Sequence, residues 1–163
     1  MKTTALIIII TLCSSIGVLK NLSLKNRVRQ LCLLRDAVED IRVKIELEKL
    51  PISAIFAELS GKSESVLIRD MAACENGIYT AYKSAENKNM HRSDLKKTDW
   101  QIFDRFFSVL GKSGSEQQHI LCEQTSESIR QKILEAEKDC EKYGKLSLQT
   151  GFLAGLFITA IFI

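Results

Sequence analysis

The chain has 163 residues, and its 23 lysines and arginines against 20 aspartates and glutamates leave a formal net charge of only +3. Basic and acidic residues are interleaved, so no extended basic face emerges and nucleic acid is excluded as a partner. The mean hydropathy near zero hides two apolar ends averaged with a strongly charged middle.

Thr3 to Leu19 is uncharged and carries the run Leu6-Ile7-Ile8-Ile9-Ile10. At about 1.5 Å per helical residue such a stretch reaches roughly 26 Å, within the range that spans a ~30 Å hydrocarbon core. Residues 3–19 are therefore expected to form a transmembrane helix. Retention as an anchor is preferred over cleavage or lipidation. No small-x-small site follows Leu12 cleanly, and Leu12 is a bulky residue directly before Cys13.

Residues 20–145 are expected to form one helical domain. Leu24, Leu31, Val38 and Ile45 recur seven apart, with Val28, Leu34 and Ile41 between them, the seam of a long amphipathic helix. Pro51 fits the first turn of a second helix, where its missing N–H would be unpaired anyway. Ile52, Ile55, Phe56 and Leu59 then form its apolar face. A third helix is expected over 65–86, with Val66, Leu67, Met71, Cys74, Ile78 and Tyr82 inward. After a polar break at 87–93, Thr98-Asp99-Trp100-Gln101 has the form of a capping box opening a fourth helix with Trp100, Phe103, Phe106, Phe107 and Leu110. Ser113-Gly114-Ser115-Glu116 has the same form and opens the last long helix, whose face is Cys122, Ile129, Ala136 and Tyr143 with Ile133 and Cys140 between. Gly144 is a point where that helix could loosen. The fold class is all-α, a bundle of about five helices in which the first and last pack antiparallel.

Residues 146–163 are again uncharged and form a second expected transmembrane helix. Gly151-Phe-Leu-Ala-Gly155 within it spaces two glycines four apart, which lets membrane helices approach closely, so Gly151 and Gly155 are the candidate packing residues. Lys20, Lys25, Arg27 and Arg29 flank the first span, and Lys138, Lys142 and Lys145 the last. The positive-inside rule then places the middle in the cytoplasm and both termini outside.

Features that resemble chemistry have simpler readings. Gly61-Lys62-Ser63 and Gly111-Lys112-Ser113 lack the glycine five positions earlier that a phosphate loop needs, since Phe56 and Phe106 stand there. Each glycine is expected to end a helix in the left-handed conformation. The five cysteines are odd in number and widely spaced, which argues for reduced thiols used as small apolar side chains. His91 and His119 form no metal-ligand pair and are expected at the solvated surface. Carboxylates lie at helical spacing beside lysines and arginines, as surface ion pairs do. No catalytic residue, cofactor, metal or small-molecule substrate is expected, and an enzyme is disfavoured.

The layout resembles the stage III sporulation protein AB family. The residues that carry the resemblance are Arg29-Gln30-Leu31-x-x-Leu34-Arg35, Leu50-Pro51-Ile52, Trp100-x-x-Phe103 with Leu110-Gly111, and Gly151-Phe152-Leu153-Ala154-Gly155-Leu156. Glu46-Leu47-Glu48-Lys49 departs from the more aromatic, glycine-containing run of that family. The resemblance implies a place in the engulfment-stage sporulation complex, in the outer forespore membrane on the mother-cell side. It also implies a helical domain like those of F-type platform proteins of type II secretion, coupling a cytoplasmic hexameric ATPase to other membrane subunits. Lys25, Arg27, Arg29 and Arg35 are the candidate contacts to a partner or to lipid headgroups. The alternative is a small membrane transport subunit or membrane enzyme. It is disfavoured because neither apolar stretch holds an ionisable residue other than Cys13.

Overall fold

The computed structural model describes residues 2–48, 51–72 and 77–162. The side chains of 2–10, 12–14, 48, 72, 145, 148, 151–152, 155–156 and 158–162 lie outside that description. Every element among the described residues is helical. They are α1 (Lys2–Val43), a π-helical turn (Lys44–Glu48), α2 (Ile52–Lys62), α3 (Val66–Ala72), α4 (Ile78–Asn89), α5 (Lys97–Val109) and α6 (Ser115–Phe162). The all-α expectation holds. By compactness the chain divides into Met1–Val28 with Leu134–Ile163, and Arg29–Ile133. Residues 20–28 and 134–145, expected within the central domain, thus group with the apolar ends. Among the described residues no helix is long and apolar enough to cross a membrane. The two expected spans fall largely on residues whose side chains are not described.

In the first unit α1 and α6 run antiparallel, since partners on α6 fall in number as those on α1 rise. Ser147 Oγ lies 3.2 Å from the Gly17 carbonyl oxygen and 3.0 Å from that of Gly144, sharing its one hydroxyl proton. A Cβ on Gly144 would stand 2.8 Å from Asn21 Oδ1, so any larger residue there would make the Asn21 side chain shift. Instead of loosening α6, Gly144 sits within one continuous helix and seats its partner. Farther along, Arg27 is only 2% exposed, and its guanidinium lies 3.2 Å from Asp139 Oδ2 and 3.5 Å from Glu135 Oε1.

In the second unit the heptad-like stripe of α1 is the spine. Leu31, Leu34, Val38, Ile41 and Ile45 are all buried, and burying each such side chain is worth about 1.5–3 kcal/mol. Also buried in this unit are Ile55, Phe56 and Leu59 of α2, Leu67, Ile68 and Met71 of α3, and Cys122, Ile129 and Ile133 of α6. Tyr82 stacks on Phe107 at 4.8 Å, and Phe107 meets Phe106 at 5.0 Å and Phe56 at 6.0 Å. The Tyr82 hydroxyl donates to the Trp100 carbonyl at 3.2 Å, tying α4 to α5. Lys44 in the π-helical turn and Lys62 at the end of α2 both donate to Glu58 at 2.7 Å.

Local departures from expectation have local causes. The third helix is two helices, because Gly77 has φ +82°, a conformation that cannot continue a helix. Cys74, expected inward there, lies outside the described residues. Val66 and Tyr143, expected on apolar faces, are 51% and 41% exposed. Pro51 stands one residue before α2 with φ −63° and ψ 143°, its carbonyl accepting from Ala54 and Ile55. The helix at 97 is started not by Thr98 and Gln101 but by the buried Asp99, whose carboxylate accepts from the Lys96 N–H at 2.9 Å. At α6, Gln118 reaches back to the Ser113 carbonyl in place of a Ser113–Glu116 box. Gly111 does end its turn at φ +85°, whereas Gly61 lies inside α2 with an ordinary helical backbone.

The two Gly-Lys-Ser triplets should therefore answer alanine with opposite signs. Gly111→Ala is expected to destabilise by about 1–2 kcal/mol from the left-handed conformation, and its Cβ would also crowd Ile52 Cδ1 at 3.1 Å. Gly61→Ala, with nothing within 4 Å, should stabilise by about 0.5–1 kcal/mol; urea melts of both variants check the pair. Arg27→Ala should lower stability by about 2–3 kcal/mol, less than a fully buried pair because Glu135 and Asp139 keep some water, as read by thermal melting. Hydrogen bonds from Lys44 and Lys62 hold the Glu58 carboxyl at about 2 instead of 4.5. Its contribution is complete above pH 4.5 and is lost as pH falls through about 2. Glu58→Gln should flatten the acid limb of the stability–pH curve over that window.

Candidate docking site

The four basic residues expected to form one contact strip do not share one environment. Arg27 is buried and engaged by Glu135 and Asp139, so it is a packing residue and not a surface contact. Its spacing from Lys25 and Arg29 gave no hint of this, because both acidic partners come from α6, more than a hundred residues away. Lys25 is exposed, in the unit that holds the chain ends. In the other unit, Arg29 is 73% exposed with a long 3.5 Å bridge to Glu64. Arg35 is partly exposed and donates twice to Asp36 Oδ1, a bond that raises its already high pKa further. Gly151 and Gly155 fall within α6, but their packing lies outside the described residues.

Of the two histidines, His91 is exposed, and His119 Nε2 lies 3.5 Å from Glu46 Oε2. Cys122 is wholly buried, and burial pushes its thiol up to about 12, which makes it inert as a nucleophile. Among the described residues no group of three His, Cys, Asp or Glu could hold a metal ion.

The feature that sequence reasoning missed is a cavity of about 340 Å³ in the 29–133 unit. Its walls come from α1 (Gln30, Leu33, Leu34), the start of α3, the end of α4, the turn before α5, and Trp100. The polar break after Asn89 contributes Arg92, Ser93 and Leu95 to these walls. At the mouth, Asp70 accepts from Lys88 at 2.8 Å and from Asn89 at 2.7 Å, and these bonds hold its carboxyl below the usual range. From sequence, Trp100 reads only as an apolar face residue. Its indole N–H, which needs a partner once buried, was the available signal.

None of the curated proteins matches the chain. A solved structure of stage III sporulation protein AB is 18% identical and superposes with a TM-score of 0.63, covering 71% of this chain and 96% of its own. At that identity the likeness speaks for the fold, an all-helical one. The family model for stage III sporulation protein AB matches residues 2–163. With a match over nearly its whole length, the chain belongs to the stage III sporulation protein AB family.

Proposed function

We propose that the chain is a membrane-tethered docking subunit of the sporulation complex, with no chemistry of its own. Family membership gives it a role in sporulation. The observation that carries the finer reading is helical continuity. Each uncharged end belongs to a helix, α1 or α6, that also carries buried core residues of the charged middle, Leu31 to Ile41 on one and Cys122 to Ile133 on the other. An apolar end held in a bilayer would then anchor the helical domain through unbroken backbone, as a platform requires. In this reading residues 3–19 and 146–163 span the membrane, both termini lie outside, and the middle faces the mother-cell cytoplasm. Its partners are a cytoplasmic hexameric ATPase and the other membrane subunits of the assembly.

Lys25 and Arg29 are the exposed members of the basic strip, and they serve first as topology signals beside the bilayer. Cross-linking in sporulating cells should capture the ATPase. Capture of membrane subunits alone, or ATP hydrolysis by the purified chain, would overturn the docking role. Alkaline phosphatase fused to either terminus should be active, and inactive when inserted after His91. In the double reversal Lys25→Glu with Arg29→Glu this pattern should change. An unchanged pattern with ATPase binding lost would instead assign the strip to the partner.

A further inference from the structure

We propose that the groove between α1 and α6 at Lys20 and Tyr143 seats one anionic phospholipid, its phosphate at Lys20 and an acyl chain running toward Ala154. The inference rests on the membrane-tethered reading and names a ligand of the anchor itself. The groove lies wholly within the unit that holds the chain ends and measures about 410 Å³, within the range of small-molecule sites. From Tyr143 to Ala154 it follows eleven residues of α6, about 16 Å at the helical rise. That is close to half of the ~30 Å hydrocarbon core, the depth of one leaflet.

The polarity of the groove changes along that length. At one end stand the exposed Lys20 and the half-exposed Tyr143, whose ring centre lies 5.1 Å from Lys142 Nζ. Lys20 directly follows the first uncharged stretch and Tyr143 comes just before the second, the depth at which tyrosines and basic side chains meet headgroups. No aspartate or glutamate lines the groove, and neither lysine has a carboxylate partner among the described residues. Toward the other end the lining is Ile16, Leu146, Thr150 and Ala154. The hydroxyls here are already engaged. Ser147 bonds toward the Gly17 carbonyl, and Thr150 donates to that of Leu146 at 2.8 Å. The far end therefore offers apolar surface and no free side-chain donor, which suits a hydrocarbon chain and not a peptide or a sugar.

A second copy of the chain fits less well. A two-fold contact sets one patch against itself, which would bring Lys20 and Lys142 of one copy toward those of the other. A phosphate instead neutralises them. In a zwitterionic lipid the headgroup cation offsets part of that gain.

Native mass spectrometry of the full-length chain, released from detergent micelles, counts the lipid it retains. One phosphatidylglycerol per chain is expected, bound saturably. Phosphatidylcholine should bind about twentyfold more weakly, the product of about fivefold for each of two lysines at a lipid surface. Lys20→Gln should weaken phosphatidylglycerol about fivefold and leave phosphatidylcholine unchanged. Lys97→Gln, on α5 in the other unit, should change neither. Ala154→Leu fills the apolar end and should weaken both lipids alike, with the helical circular dichroism retained. Glycerol 3-phosphate, a headgroup without chains, should not compete. Equal retention of the two lipids would mark unselective bilayer contact and overturn the proposal. So would a Lys20→Gln variant that binds as before, competition by glycerol 3-phosphate, or a dimer that Ala154→Leu dissociates. If the phosphatase fusions report both termini outside while lipid selectivity is absent, the groove assignment falls alone. If selectivity is found while the fusions are inactive, the spanning reading falls and the lipid site stands.

Discussion

The buried guanidinium of Arg27, held between Asp139 and Glu135, fixes the register of α1 against α6. A slip of one turn on either helix would leave a cation without its carboxylates in a site closed to water, a strongly unfavourable state. The neighbouring seam has the same selectivity by a different means. Gly144 lets the Asn21 side chain approach closely, and Ser147 bonds toward Gly17. In the larger unit the same antiparallel order continues, with His119 of α6 beside Glu46 of the π-helical turn. Charge, steric fit and apolar burial thus specify one pairing of the two long helices.

That pairing leaves the shorter helices to complete the larger core. The tilted and stacked rings of Phe56, Tyr82, Phe106 and Phe107 join α2, α4 and α5 in one aromatic cluster. The Tyr82–Trp100 hydrogen bond joins the helix on each side of the polar break. The break itself lines a cavity through Arg92, Ser93 and Leu95.

Family membership gives the chain a role in sporulation, and the described side chains are largely engaged with one another. Cys122 is sequestered, the histidines lie apart, and most carboxylates pair with neighbouring cations. The exposed basic side chains near the uncharged stretches are spread over both compact units.

Much of the fold could be read directly. The seven-residue recurrence from Leu24 to Ile45, the aromatic run from Trp100 to Phe107 and the α6 face are local patterns, and periodicity alone reports which side of a helix turns inward. The family was legible for the same reason, because short motifs in order survive as sequence. The site was far less so. Whether Gly61 or Gly111 turns left-handed, whether Thr98 or Asp99 caps α5, and which of four basic residues is buried all depend on atoms distant in the chain. Sequence by itself determined helical identity, the apolar faces and the two uncharged ends, since each is encoded by near neighbours. Only tertiary structure decided that Arg27 is a clamp and that Gln30, Ser93 and Trp100 meet at one cavity, because those outcomes require α6, α4 and α5 to arrive from far along the chain.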